Sequence, residues 1–216
     1  MPDRQSPLAD NRTSVASTTP PGRRYLLIGL AWLCVAIGAG ATGAVAALRP
    51  PAPQLVLGGL TVLLLLAGAA LPRFRRWLGT LKLRQIVALH LTRFVGVYFL
   101  VLYERGLLPF AFAVPGGWGD IIVAAGALVL VLLVPELASH RVPLLLWNVV
   151  GLLDILFVVA TAARLALVDP ASLSALLRLP LSLLPTFLVP LIIASHVLLF
   201  WRLGRNPSRS TQAMEH

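Results

Sequence analysis

Six long apolar stretches divide this chain, and a soluble fold has no means of covering them. They run over residues 25–48, 55–71, 86–103, 119–134, 144–168 and 181–203. A helix that crosses the hydrocarbon of a bilayer takes roughly 20 residues. The chain has 216 residues, of which 58% are hydrophobic and 12% charged. Soluble domains carry roughly twice that share of charge. A soluble globular domain is therefore excluded, and no room is left for an aqueous catalytic domain. The runs are continuously apolar and show no alternation of period two, so they read as helices rather than barrel strands. The fold class is all-α, a polytopic integral membrane helical bundle of about six transmembrane helices. The second and fourth runs are short and are expected to extend into their flanks or to thin the bilayer.

Charge placement gives the orientation. With six spans, the two tails and the second and fourth loops share one side. They hold Arg4, Arg12, Arg23, Arg24, Arg73, Arg75, Arg76, Lys82, Arg84, Arg141, Arg202, Arg205 and Arg209. The opposite side holds only Arg49, Arg105 and Arg178, while Arg93 and Arg164 lie within spans. Lys and Arg concentrate on the cytoplasmic side of membrane proteins. Both termini are expected in the cytoplasm, and the net charge of +10 then reports loops facing anionic lipid rather than a nucleic-acid partner. The basic residues are 17 Arg and one Lys, a bias that resembles translation from a GC-rich bacterial genome. The expected location is a bacterial inner membrane, with the lipid bilayer as the principal partner.

Three regions follow: a disordered cytoplasmic tail over 1–22, a six-helix transmembrane domain over 23–204 and a short cytoplasmic tail over 205–216. The tail is rich in Pro, Ser, Thr and Asp and has too little apolar surface to order itself. Arg23-Arg24 followed by Tyr25-Leu26-Leu27 resembles a twin-arginine export signal. The apolar run behind it is longer than a signal-peptide core, so a retained first helix is expected. Cys34 is the only cysteine, so the chain forms no intrachain disulfide.

Ala36, Gly40 and Ala44 recur at four-residue spacing on the first span. Small residues at this spacing let helices approach closely in lipid. They mark a packing face, toward another helix of this chain or toward a second copy. Residues 107–118 are apolar yet rich in Pro and Gly, and read as a segment in the outer interface or dipping into the bundle. Asp120 then reads as the N-cap of the fourth span, or as a carboxylate at the periplasmic mouth. Asp169 followed by Pro170 opens a short helix in the fifth loop.

Phosphate-binding loops, zinc-protease motifs and nucleophile elbows are absent, and no catalytic residue or metal ligand is assigned. Polar groups inside spans are costly and usually face the protein interior. Five of them, His90, Arg93, Asn148, Asp154 and His196, form a candidate intramembrane cluster. Helical rise places His90, Asn148 and His196 at similar depth, and Arg93 and Asp154 close together and deeper. Three readings follow: a structural network in which Arg93 neutralises Asp154, a site for a small solute or proton, and a haem b site ligated by His90 and His196. Pro185 and Pro190 break the sixth span and free the carbonyls of Leu181 and Thr186. Broken helices line solute sites in transporters. The leading class is a non-enzymatic membrane protein handling a small solute or proton. The alternatives are a haem-binding redox subunit and an accessory or assembly protein that packs through its Gly/Ala faces.

Several stretches carry a resemblance. They are Arg93-Phe94-Val95-Gly96, Gly106-Leu107-Leu108-Pro109, Gly117-Trp118-Gly119-Asp120, Trp147-Asn148 with Gly151 and Asp154, and 185–190 with His196. Over about residues 85–203 the chain resembles a group of small uncharacterised bacterial multi-span inner-membrane proteins. That resemblance implies a fold type and no reaction.

The topology is checked with reporter fusions. Fusions at the C-terminus or between Arg73 and Arg84 should report cytoplasm, and fusions near Pro51 or after Arg105 should report periplasm. Exchanged results would sink the six-span arrangement.

Overall fold

The computed structural model describes residues 21–205. The expected tail therefore lies outside the described residues up to position 20, as does the C-terminal tail beyond Arg205. Helix α1 (Pro21–Ala41) and α2 (Ala52–Ala70) come first, then a short α3 (Pro72–Thr80). The third span is α4 (Leu83–Leu89), a tightened 3₁₀ turn (His90–Phe94) and α5 (Val95–Glu104). The bundle is completed by α6 (Phe110–Leu133), α7 (Arg141–Val168), a 3₁₀ segment (Pro170–Leu177), a π-helical turn (Leu184–Leu188) and α8 (Val189–Gly204). Six helical spans among the described residues are long and apolar enough to cross a membrane.

The packed centre is built from the third to sixth spans. Phe99, Leu102, Phe112 and Val158 fill one end, and Ile86, Val87, Leu144 and Leu199 fill the other. Apolar side chains such as Ile28, Val35, Leu55 and Leu63 on α1 and α2 are exposed, as lipid contact requires. The second and fourth loops meet at one end of the bundle. There Arg84 donates to the carbonyls of Val131, Val134 and Pro135, and Arg202 donates to that of Leu81. At the other end 106–109 lies beside Ala171, Ser172 and Ser174. Alternate loops thus share an end, as an up-and-down six-span chain demands.

The fourth span corrects one expectation. It begins at Phe110 and runs through Pro115, Gly116 and Gly117 without interruption, so 107–118 is mostly helix. The turn-like composition serves packing instead. A Cβ on Gly117 would come within 2.9 Å of the Gly96 carbonyl oxygen, and one on Gly96 would run into the Gly117 carbonyl. Each helix crosses the other backbone to backbone, and only glycine on both sides permits it. Gly116 likewise abuts Val158.

Helix α1 uses its small-residue face within the chain. Ala36 is buried, and Gly40 backs onto Leu179 and Ser182. Ala44 lies beyond the end of α1 and is exposed. The freed carbonyl of Thr186, four residues before Pro190, accepts a hydrogen bond from Trp32 Nε1 of α1 at 2.9 Å. The Leu181 carbonyl accepts from Leu184 N–H, and the Thr186 hydroxyl donates to the Ser182 carbonyl at 2.7 Å. The fifth-loop helix starts after Asp169 as expected, although the Asp169 side chain makes no cap bond.

Gly96→Ala should separate α5 from α6 and lower thermal stability in detergent by about 1–3 kcal/mol, the usual range for overpacking. Gly58→Ala, which meets open space, is the control and should leave stability unchanged. Equal behaviour of the two variants would contradict the close crossing.

Candidate functional site

The tightened turn His90–Phe94 places two side chains in the bundle interior. The Thr92 hydroxyl donates to the Leu89 carbonyl at 2.7 Å, a back-bond that bends helices. His90 and Arg93 both emerge fully buried, at 0% and 1% exposure.

Arg93 is held by three groups from two other helices. Its Nε donates to Asp120 Oδ1 at 2.6 Å, its Nη1 to the Gly151 carbonyl at 2.9 Å, and its Nη2 to Asp154 Oδ2. The expected Arg93–Asp154 pair is present, with a second carboxylate that the sequence reading placed elsewhere. Asp120 is no N-cap and lies at no mouth. It sits ten residues beyond the start of α6, roughly 15 Å along the helix by its rise, and is buried. Reading 110–133 as a single apolar run would have put Asp120 inside the membrane.

Glycines make this approach possible. A Cβ on Gly119 would strike the Asp154 carboxylate, and one on Gly151 would come within 2.7 Å of the His196 ring. Gly151 therefore exposes its carbonyl to Arg93 on one side and admits His196 on the other.

Beside the carboxylates lies a sealed polar pair. His90 and His196 lie with ring centroids 4.3 Å apart and planes tilted by 54°, and Trp147 stands edge-on to His90 at 4.9 Å. Hydrogen-bond counting assigns their protons. The Ser195 hydroxyl donates to the Ile192 carbonyl at 2.7 Å, so it accepts from His90 Nε2 at 3.0 Å. Asn148 donates through Nδ2 to the His196 carbonyl at 3.1 Å, so its Oδ1 accepts from His196 Nδ1 at 2.8 Å. Each ring thus commits one N–H. The other nitrogens, His90 Nδ1 and His196 Nε2, are buried and have no partner among the described residues. The structure brings together all five residues singled out in the sequence. It joins to them Asp120, which the sequence marked as an N-cap or mouth carboxylate, and adds Ser195 and the Gly151 carbonyl.

A cavity of about 340 Å³ reaches this network from the end of the bundle that carries the first and fifth loops. Arg49, Gln54 and Ser174 stand among the lining residues nearer the mouth, while Phe99, Phe112, Ile155, Val158 and Ile192 form apolar walls. Thr92, Arg93 and Asp120 also line it and form its polar floor. Pro185 of the broken sixth span contributes to the wall; Pro190 does not line the cavity but opens α8.

Residues 50–204 match the family model described as Domain of unknown function (DUF8737). The chain belongs to this family. The matched region contains the whole polar network and starts after α1. No curated protein and no solved structure matches the chain.

Arg93→Met would leave the buried Asp120 and the half-buried Asp154 uncompensated, and breaking a buried ion pair costs about 3–5 kcal/mol. The variant should lose stability on that scale in detergent melts. Combining it with Asp120→Leu and Asp154→Leu should recover most of the loss, because no buried charge then stands alone. Additive losses across the three changes would mean that the charges do not act as one unit.

Proposed function

We propose that this family member is a bacterial inner-membrane protein, both ends cytoplasmic, that binds a small, mainly apolar solute in the membrane-embedded cavity. The observation that carries this reading is the cavity itself, apolar along its walls and ending on Arg93 and Asp120. The thirteen-to-three division of basic residues between the two sides supports the orientation. With that orientation the cavity opens toward the periplasmic face.

The chemistry of selection follows from the medium. Lipid tails are as apolar as the cavity walls, so moving an apolar body from bilayer to cavity gains little. A polar group in hydrocarbon lacks a partner, and its burial there is costly. The floor offers what the bilayer lacks. Asp120 engages Arg93 through Oδ1, and among the described residues no donor pairs with its other oxygen. A solute with an apolar body and a hydrogen-bond donor at one end satisfies walls and floor together.

The ring geometry weighs against the haem alternative. A porphyrin iron ligated by two histidines needs the macrocycle between the rings. Here the centroids are 4.3 Å apart, and the pair is flanked by Trp147 and Gly151. The cavity lining includes neither histidine.

Adamantanol, a compact apolar cage with one hydroxyl, tests the reading in lipid nanodiscs. It should raise the melting temperature of the unaltered protein, by about 2.7 kcal/mol of added stability at a hundredfold excess over Kd. Ala163→Phe, which fills the cavity wall, should abolish the shift. An equal shift in both proteins would mean that the alcohol acts through the lipid, and the solute-binding reading would fall.

A further inference from the structure

We infer that the cavity floor is built to take up one positive charge, and that the solute it selects is a lipophilic ammonium ion, bound in exchange for a proton. This deepens the solute-binding reading and rests on it.

The argument starts from a charge count. One guanidinium, Arg93, faces two carboxylates, Asp120 and Asp154. The other polar groups around the three are His90 and Thr92 from the same span, the Gly151 carbonyl from α7 and His196 from α8, with Asn148 and Ser195 bonded to the two histidines and Trp147 beside their rings. None of these is a fixed cation. Arg49 is exposed at the mouth, where water screens its charge. With both carboxylates ionised the network carries one negative charge in excess, and unbalanced charge inside a membrane protein is expensive.

The balancing charge falls on Asp120, whose second oxygen has no described donor and which lines the cavity; His90 Nδ1 and His196 Nε2 are buried with no described acceptor, and Arg93 repels a second cation there. With the cavity empty, a proton taken up on this network closes the count. A solute's ammonium group docked on Asp120 closes it instead. Two positive charges in so small and apolar a space repel strongly, so the proton leaves. The exchange is balanced: protonated network plus ammonium solute gives the network–ammonium complex plus a proton in solution, with no other bond formed or broken. The apolar walls then select for a hydrocarbon body behind the ammonium group.

The test uses three probes with one apolar cage: adamantylamine, adamantanol and adamantane carboxylate. Each is titrated into the full chain in nanodiscs of zwitterionic lipid, by calorimetry and with a pH indicator in weak buffer. The ammonium probe should bind about tenfold or more tightly than the alcohol, a difference of about 1.4 kcal/mol, and should release protons as it binds. Asp120→Asn leaves Arg93 and Asp154 as a balanced pair, and should remove both the preference and the release. If that variant does not fold, the comparison of probes on the unaltered chain still decides. Equal binding of ammonium and alcohol without proton release would overturn the exchange and leave the solute-binding reading standing. Tightest binding of the carboxylate would assign recognition to Arg93 and overturn it as well. Binding of none of the three would remove both readings together.

Discussion

The guanidinium of Arg93 is the point on which the centre of the bundle depends. It sits at 1% exposure and joins the third span to the fourth through Asp120 and to the fifth through Asp154 and the Gly151 carbonyl. In lipid no hydrophobic force drives helices together, and close backbone packing and interhelical hydrogen bonds take its place. The glycines follow from this one group. Gly96 and Gly117 bring α5 against α6, Gly119 clears space for Asp154, and Gly151 frees its own carbonyl. Exchanging any of them for a larger residue would move a ligand of the guanidinium.

The same arrangement explains why structure and binding are hard to separate here. The floor of the cavity is also the joint of the bundle. A network that only held helices together would be expected to balance its charges, as a single Arg–Asp pair does. This one has a surplus carboxylate that lines an open space, and two histidine nitrogens that no described residue satisfies. Buried polar atoms without partners are rare in native proteins. Gln54 Oε1 and Ser182 Oγ are also unpartnered among the described residues, so it is the surplus carboxylate beside an open space that distinguishes the site from structural glue.

Much of this was legible in the sequence. Six apolar runs gave six spans, and helical rise alone brought Arg93 to Asp154 and His90 to the depth of Asn148 and His196. Asp120 was misplaced because Pro115, Gly116 and Gly117 resemble a turn. Turn composition and close-packing composition are the same residues, and only the neighbouring helix decides which is meant. Ser195 escaped notice because a lone serine in a span carries no signal of its own. Trp32 escaped for a different reason: its partner, the Thr186 carbonyl, lies 154 positions away. The break made by Pro185 and Pro190 foretold that a carbonyl would be free, but not which side chain would meet it.

That last bond has a consequence for how the molecule is closed. The first of the six described spans holds the donor, and the sixth holds the acceptor. The carbonyl freed in the sixth span is therefore met by a side chain of the first, across the bundle. Helix α1, which lies outside the region shared with the family, is in this sense a latch rather than a wall. A relative that replaced it would need to bring its own donor to the same carbonyl, from whatever helix it set there, or straighten the sixth span by giving up a proline.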